Sequence, residues 1–187
     1  MRQISRLCSF HFNLLRSKIS HKRFYSVEAK NSPEKPKFVE ICGQKYATDE
    51  WTNVTPKIIS FIGRKLYQTP PNPIYLIAES IKEHFVNYDV FDYPSPVVDL
   101  EANFDSLLIP RDHVSRARAD TYYINRGLLL RAHTSAHQAH CLRRGSSQFV
   151  CLADVYRRDA IDATHFPVFH QCEALQLLSK SDVSLDF

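Results

Sequence analysis

The sequence predicts an α+β domain built on an antiparallel sheet flanked by helices, and three observations carry that expectation. Apolar residues recur at helical spacing in mid-chain and at alternating spacing near the end, so helices and strands are interleaved. The last two extended segments, residues 148–157 and 167–178, flank the polar stretch 159–166 and so read as antiparallel neighbours. Only four glycines occur, Gly43, Gly63, Gly127 and Gly145, and neither GxGxxG nor a GxxxxGK loop is present, which excludes the glycine-rich phosphate cradles of doubly wound nucleotide folds.

At 187 residues, 44% of them apolar, the chain can bury one core. Its first 27 residues hold Arg2, Arg6, Arg16, Lys18, Lys22 and Arg23 with no acid, interspersed with apolar Ile4, Leu7, Phe10 and Leu14. That pattern predicts a mitochondrial transit peptide over residues 1–26 and residence in the mitochondrial matrix. No apolar run has the length of a membrane span, so no membrane partner is expected. Without the basic segment the net charge of +4 falls close to neutral, which gives little support for a phosphate-tracking surface on the remainder. The five cysteines are odd in number and lack a CxxC pair, the pattern of reduced structural thiols. Residues 27–44, with the proline-containing NSPEKPK, read as a linker, and residues 45–187 as the folded domain.

Within that domain, Ile58, Ile59, Ile62 and Leu66 predict a helix over residues 53–68. Asn72 and Pro73 open a second helix as N-cap and first-turn proline, with Ile74, Ile77, Ala78, Ile81 and Phe85 as its apolar stripe. Residues 90–120 read as loop and short strands punctuated by Pro94, Pro96 and Pro110, and residues 122–130 as a strand leading to His133. Thr134 can cap a helix over residues 135–144, with Arg143 and Arg144 in its last turn and Gly145 as its stop.

Alternation on the last strand points Phe169, Gln171 and Glu173 to one face, and His170, Cys172 and Ala174 to the other. A forked, always-charged arginine, Arg157 or Arg158, on the preceding strand suits a phosphate or carboxylate, and Glu173 with Gln171 suits an ammonium group, so a zwitterion beside a phosphate fits such a pocket. Alternation alone also fits an amphipathic hairpin with solvated charges; the density of polar residues between Arg157 and Glu173 favours a site. His133, His137 and His140 have a spacing that imidazole ligands of a metal could use, the basis for a metal-hydrolase alternative, but no glutamate sits between them as in a metalloprotease helix. The His170 and Cys172 pair lacks a third group to orient the histidine, which leaves packing as the role for Cys172.

RAHTSAHQ (131–138) followed by DVYRRDAIDATHFPVFHQCE (154–173) resembles the consecutive active-site blocks of class II phenylalanine-tRNA ligases, the second block containing that class's second signature motif. NFDSLLIPRDHVSR (103–116) resembles the segment ahead of them, and the basic leader suggests the organellar single-chain type. The resemblance runs over roughly residues 45–180 and implies a class II aminoacyl-tRNA synthetase catalytic fold. It implies Arg157 as the catalytic residue, contacting the ATP α-phosphate and the amino-acid carboxylate. It implies Phe169 stacked on adenine, His165 near the phosphates, and Gln171, Glu173, Ser135, Gln138 and His133 around the phenylalanine ammonium. The wider implied set for phenylalanine or ATP adds Ala136, His137, Thr164, Phe166 and Cys172, with no protein-held metal. ATP as substrate, Mg2+ and mitochondrial tRNA(Phe) are the implied partners, in a monomer. Ala153 and Cys172 stand where the family has glycine and leucine. The third signature motif and the anticodon-binding domain have no counterpart in these residues, so the expectation is an incomplete, inactive fragment, with a non-catalytic paralogue that binds a ligand or partner as the alternative.

Overall fold

The computed structural model describes residues 36–178 apart from Tyr93 and Ala160. The expected transit peptide therefore lies outside the described residues.

The fold begins earlier than the expected boundary at Lys45. Phe38–Ile41 forms β1, which pairs antiparallel with β2, Gln44–Ala47, around Cys42 and Gly43 at φ 50° and 78°. Two consecutive residues with positive φ give a turn whose twist matches the strands it joins. Val39 and Ile41 are buried with Ile58, Ile124, Leu130 and Tyr156, so the expected linker contributes two residues to the core.

The single helix expected over residues 53–68 does not form. Thr55 accepts the Ile58 N–H and Pro56 occupies the first turn, but the helix α1 ends within one turn, at Pro56–Ile59. Gly63 and Lys65 then adopt left-handed backbone at φ 81° and 43°, which no right-handed helix can accommodate, and a 3-10 turn follows at Leu66–Gln68. The second helix, α2 (Pro73–His84), starts as expected with the Asn72 side chain accepting the Tyr75 N–H. Ala78 is buried and Ile74, Ile81 and Phe85 pack with it against Tyr67, Val150 and Leu152, but Ile77 stands at the edge of the stripe, 60% exposed.

Three short elements follow: β3 (Asp89–Phe91), β4 (Val97–Asp99) and α3 (Leu100–Asn103), whose first turn is capped by Asp99. Residues 122–130, expected as one strand, fold back on themselves. The Asn125 side chain accepts the N–H groups of Gly127 and Leu128, and only β5 (Leu128–Leu130) is regular strand, paired with β4. The helix expected over residues 135–144 divides into a 3-10 turn, Thr134–His137, and α4, Gln138–Arg143, and Gly145 at φ 86° ends it as expected. Thr134 makes no cap; its hydroxyl is used elsewhere.

The principal sheet is β3-β6-β7, with β6 (Gln148–Tyr156) and β7 (Val168–Gln176) antiparallel as expected. β3 runs parallel to β6, so the sheet is mixed. No helix among the described residues is long and apolar enough to cross a membrane.

Candidate active site

The β6–β7 register pairs Cys151 with Glu173, Ala153 with Gln171 and Val155 with Phe169. Directly opposed residues share a face, so the small side chains of Cys151 and Ala153 leave room beside Glu173 and Gln171. Arg157 extends the ladder through its N–H to Pro167 O and keeps the same face. Its guanidinium lies 5.2 Å from the Phe169 ring centroid and its Nε donates to Ala132 O at 3.0 Å, so one ring and one carbonyl fix the fork.

The turn that follows β5 supplies the other wall. Ser135 Oγ donates to Glu173 Oε2 at 2.5 Å, Thr134 Oγ1 reaches the same oxygen at 3.3 Å, and Gln138 Nε2 donates to Glu173 Oε1. Three donors five residues apart or less converge on one carboxylate because a tight 3-10 turn precedes α4 there. Beside them the Oε1 of Gln171 is buried without a partner, and neither buried ring nitrogen of His133 makes an aligned hydrogen bond, though the ring lies within reach of the Asn103 backbone. An unpartnered buried atom costs about 1–3 kcal/mol, so a polar ligand that met the Gln171 oxygen would recover that cost. Burial, reinforced by the Arg157 charge, lowers the His133 pKa, which leaves a neutral ring with one acceptor nitrogen. The backbone just ahead of it is tied down, since the Ala132 N–H donates to Asn103 Oδ1 at 3.0 Å. A cavity of about 390 Å³ opens beside His133 and Arg157, walled by Phe104, Ile109, Val114 and Thr121.

A fixed arginine fork, a flat ring and a carboxylate thus share one strand face, an arrangement able to meet an anion, a planar group and a cation side by side. Residues 57–186, more than half of the chain, match the family model described as tRNA synthetases class II core domain (F). This chain belongs to that family. Its α+β elements agree with the class II core. It is 46% identical over 159 residues to the probable phenylalanine–tRNA ligase, mitochondrial, of Drosophila melanogaster, an alignment covering 80% of this chain and 35% of the relative. It is 48% identical over 155 residues to the phenylalanine–tRNA ligase, mitochondrial, of Rattus norvegicus (78% and 33%) and 44% identical over 161 residues to that of Saccharomyces cerevisiae (79% and 34%). The chain therefore spans about a third of the length of the curated relatives it matches.

Within this class II core the expected site residues separate. His133, Ser135, Gln138, Arg157, Phe169, Gln171 and Glu173 gather around the face just described. Three others lie away from it, contrary to expectation. Ala136 is 3% exposed and packs with Phe104 and Tyr123 in the core. The His137 ring points to Arg131, its Nε2 3.1 Å from Nη1. Cys172 is on the opposite sheet face, lining a small cavity with Ile77, Ile81 and Leu152, because alternation sends it there. Thr164, His165 and Phe166 belong to the connecting loop. Asp162 accepts the N–H groups of Thr164 and His165, the Thr164 hydroxyl and His165 Nδ1, and these contacts, the Thr164 N–H foremost, lower the Asp162 pKa. Phe166 meets Phe61 edge-on, with ring centroids 5.5 Å apart.

The three histidines do not converge on a metal: His137 faces a guanidinium, His133 shares the Arg157 cavity and His140 is exposed. Among the described residues no three His, Cys, Asp or Glu side chains could hold one ion. Sequence reasoning missed Thr134, Asn103 and Arg131. The one available signal was Arg131 itself, a charge closing the apolar run LLL with no acid near it in sequence.

Proposed function

We propose that this chain supplies the ATP and phenylalanine sites of a phenylalanine-tRNA ligase acting in the mitochondrial matrix on tRNA(Phe). The observation that carries the reading is the shared face: Glu173 stands beside Arg157 and Phe169 on one side of β6–β7. A substrate ammonium has three N–H donors, and Glu173, the unpartnered Gln171 Oε1 and the neutral His133 ring are acceptors for it. The Arg157 fork would bridge the phenylalanine carboxylate and the ATP α-phosphate, with Phe169 under the adenine. A carboxylate oxygen then attacks the α-phosphorus and pyrophosphate leaves, a displacement that needs positioning and charge neutralisation and no proton-transferring base.

Magnesium belongs to this reading as part of the nucleotide substrate. The described residues offer no cage of their own for it, and such ions commonly ride on phosphates with few protein ligands. The names of the relatives and the acid-free basic leader support the compartment. The test is phenylalanine-dependent ATP–pyrophosphate exchange by the full-length protein that contains this chain. Arg157→Ala should lower exchange by about a thousandfold or more, and unaltered exchange would remove the assignment.

A further inference from the structure

Arg131 is 2% exposed, yet among the described residues no carboxylate forms an ion pair with it, Asp154 acting on it only at longer range. Its Nε donates to Asp154 O at 2.5 Å, and its Nη1 donates to Pro94 O and Ser95 O, each at 2.8 Å, and lies 3.1 Å from His137 Nε2. We propose that Arg131 and His137 are positioning residues that set the spacing between the 134–138 turn and the sheet, and so assemble the Glu173 cluster from behind without touching a ligand.

The geometry is that of a strut. Asp154 belongs to β6, whose partner β7 carries Glu173; His137 belongs to the turn that carries Thr134, Ser135 and Gln138. One guanidinium therefore grips both walls of the cluster. A guanidinium has donors only, so His137 Nε2 must present a lone pair and the ring proton must sit on Nδ1. That fixes the tautomer and, through the ring, the rotation of the residue immediately before Gln138. Burial, with the Arg131 charge next in weight, lowers the His137 pKa to about 3, in keeping with a ring that stays neutral. The importance of this strut for phenylalanine rests on the ammonium role proposed above for Glu173; the strut itself does not.

Nitrogen-15 NMR of the 187-residue chain tests it. In the unaltered chain the His137 ring should remain the neutral Nδ1–H tautomer from pH 8 to 5, and the Gln138 carboxamide should resonate away from free-amide positions. His137→Phe keeps a ring and removes the acceptor; it should return the Gln138 signals to free-amide positions and weaken L-phenylalanine binding about tenfold. His137→Gln, which restores an acceptor, should recover both. Gln138 signals that stay in place in His137→Phe, or a His137 ring that is Nε2–H or titrates near 6.5, would overturn the strut. Should His137→Phe fail to fold, His137→Asn replaces it: its shorter amide cannot reach Arg131, so it must lose the signal that His137→Gln keeps, and identical behaviour of the two overturns the proposal. Absence of L-phenylalanine binding by the unaltered chain counts against the ammonium role alone, since the tautomer and the Gln138 signals still decide the strut.

Discussion

The two faces of the β6–β7 hairpin differ in how their polar atoms are used. On the face beneath α2, Val150 and Leu152 are buried against Tyr67, Ala78, Ile74 and Ile81, and Asp154 Oδ1, though 3.0 Å from His170 Nε2, makes no aligned hydrogen bond. On the opposite face Glu173 collects three donors while Gln171 keeps a buried acceptor unpartnered and the nearby His133 ring makes no aligned hydrogen bond. A hairpin that packs mainly apolar side chains on one side and gathers a carboxylate with its donors on the other separates the packing that supports the fold from the groups proposed above to meet a ligand. Both come from one strand pair because side chains alternate.

That division can be broken most directly with Leu152→Ala, which removes a side chain 3% exposed from the α2 face. The expected loss is about 3 kcal/mol of unfolding free energy in urea titration, from transfer and cavity terms together. The folded fraction should keep its Gln138 carboxamide signals, because Leu152 points away from Glu173. Disturbance of those signals at constant fold would show that the faces are coupled.

A smaller effect comes from acid. Burial first, then the Arg131 charge, with His140 and His133 contributing less, takes His137 from 6.5 to about 3. The unfolded chain therefore binds a proton below pH ~6.5 that the folded one refuses. This contribution to stability is present above that pH and is lost as pH falls toward about 3, with a slope reaching about 1.4 kcal/mol per pH unit. Urea midpoints of the unaltered chain should drop more steeply from pH 7 to 5 than those of His137→Gln. Equal slopes would mean that the imidazole is not buried neutral behind the turn.

What the sequence made legible follows the same division. The face assignment of Phe169, Gln171 and Glu173 needed only a period of two, and α2 announced itself through Asn72, Pro73 and a 3.6-residue stripe. Both are local signals. Residues 53–68 misled because their isoleucines fit a helical period while Lys65 adopts a left-handed conformation that its residue type does not advertise. Thr134 was misread as a cap because its partner, Glu173, is 39 residues away. Arg131 was passed over for a similar reason: it reaches carbonyls 36 and 37 residues earlier and 23 later. Long-range polar contacts leave no periodic trace, and these are the contacts that build the Glu173 cluster.

The mildest test concerns the cover of the α2 face. Asn72 Oδ1 accepts the Tyr75 N–H at 3.0 Å and satisfies one of the otherwise unpaired donors of the first turn of α2. Asn72→Ala should cost about 1 kcal/mol in the same urea titration, and should raise amide exchange in the first turn of α2. The Asn72 amide also donates to Leu66 O, so part of the loss would arise in the turn that precedes the helix. Because α2 lies across the sheet from Glu173, the Gln138 signals should not move; movement comparable to that in His137→Phe would mean that stability and the binding face are not carried by separate sides of the hairpin.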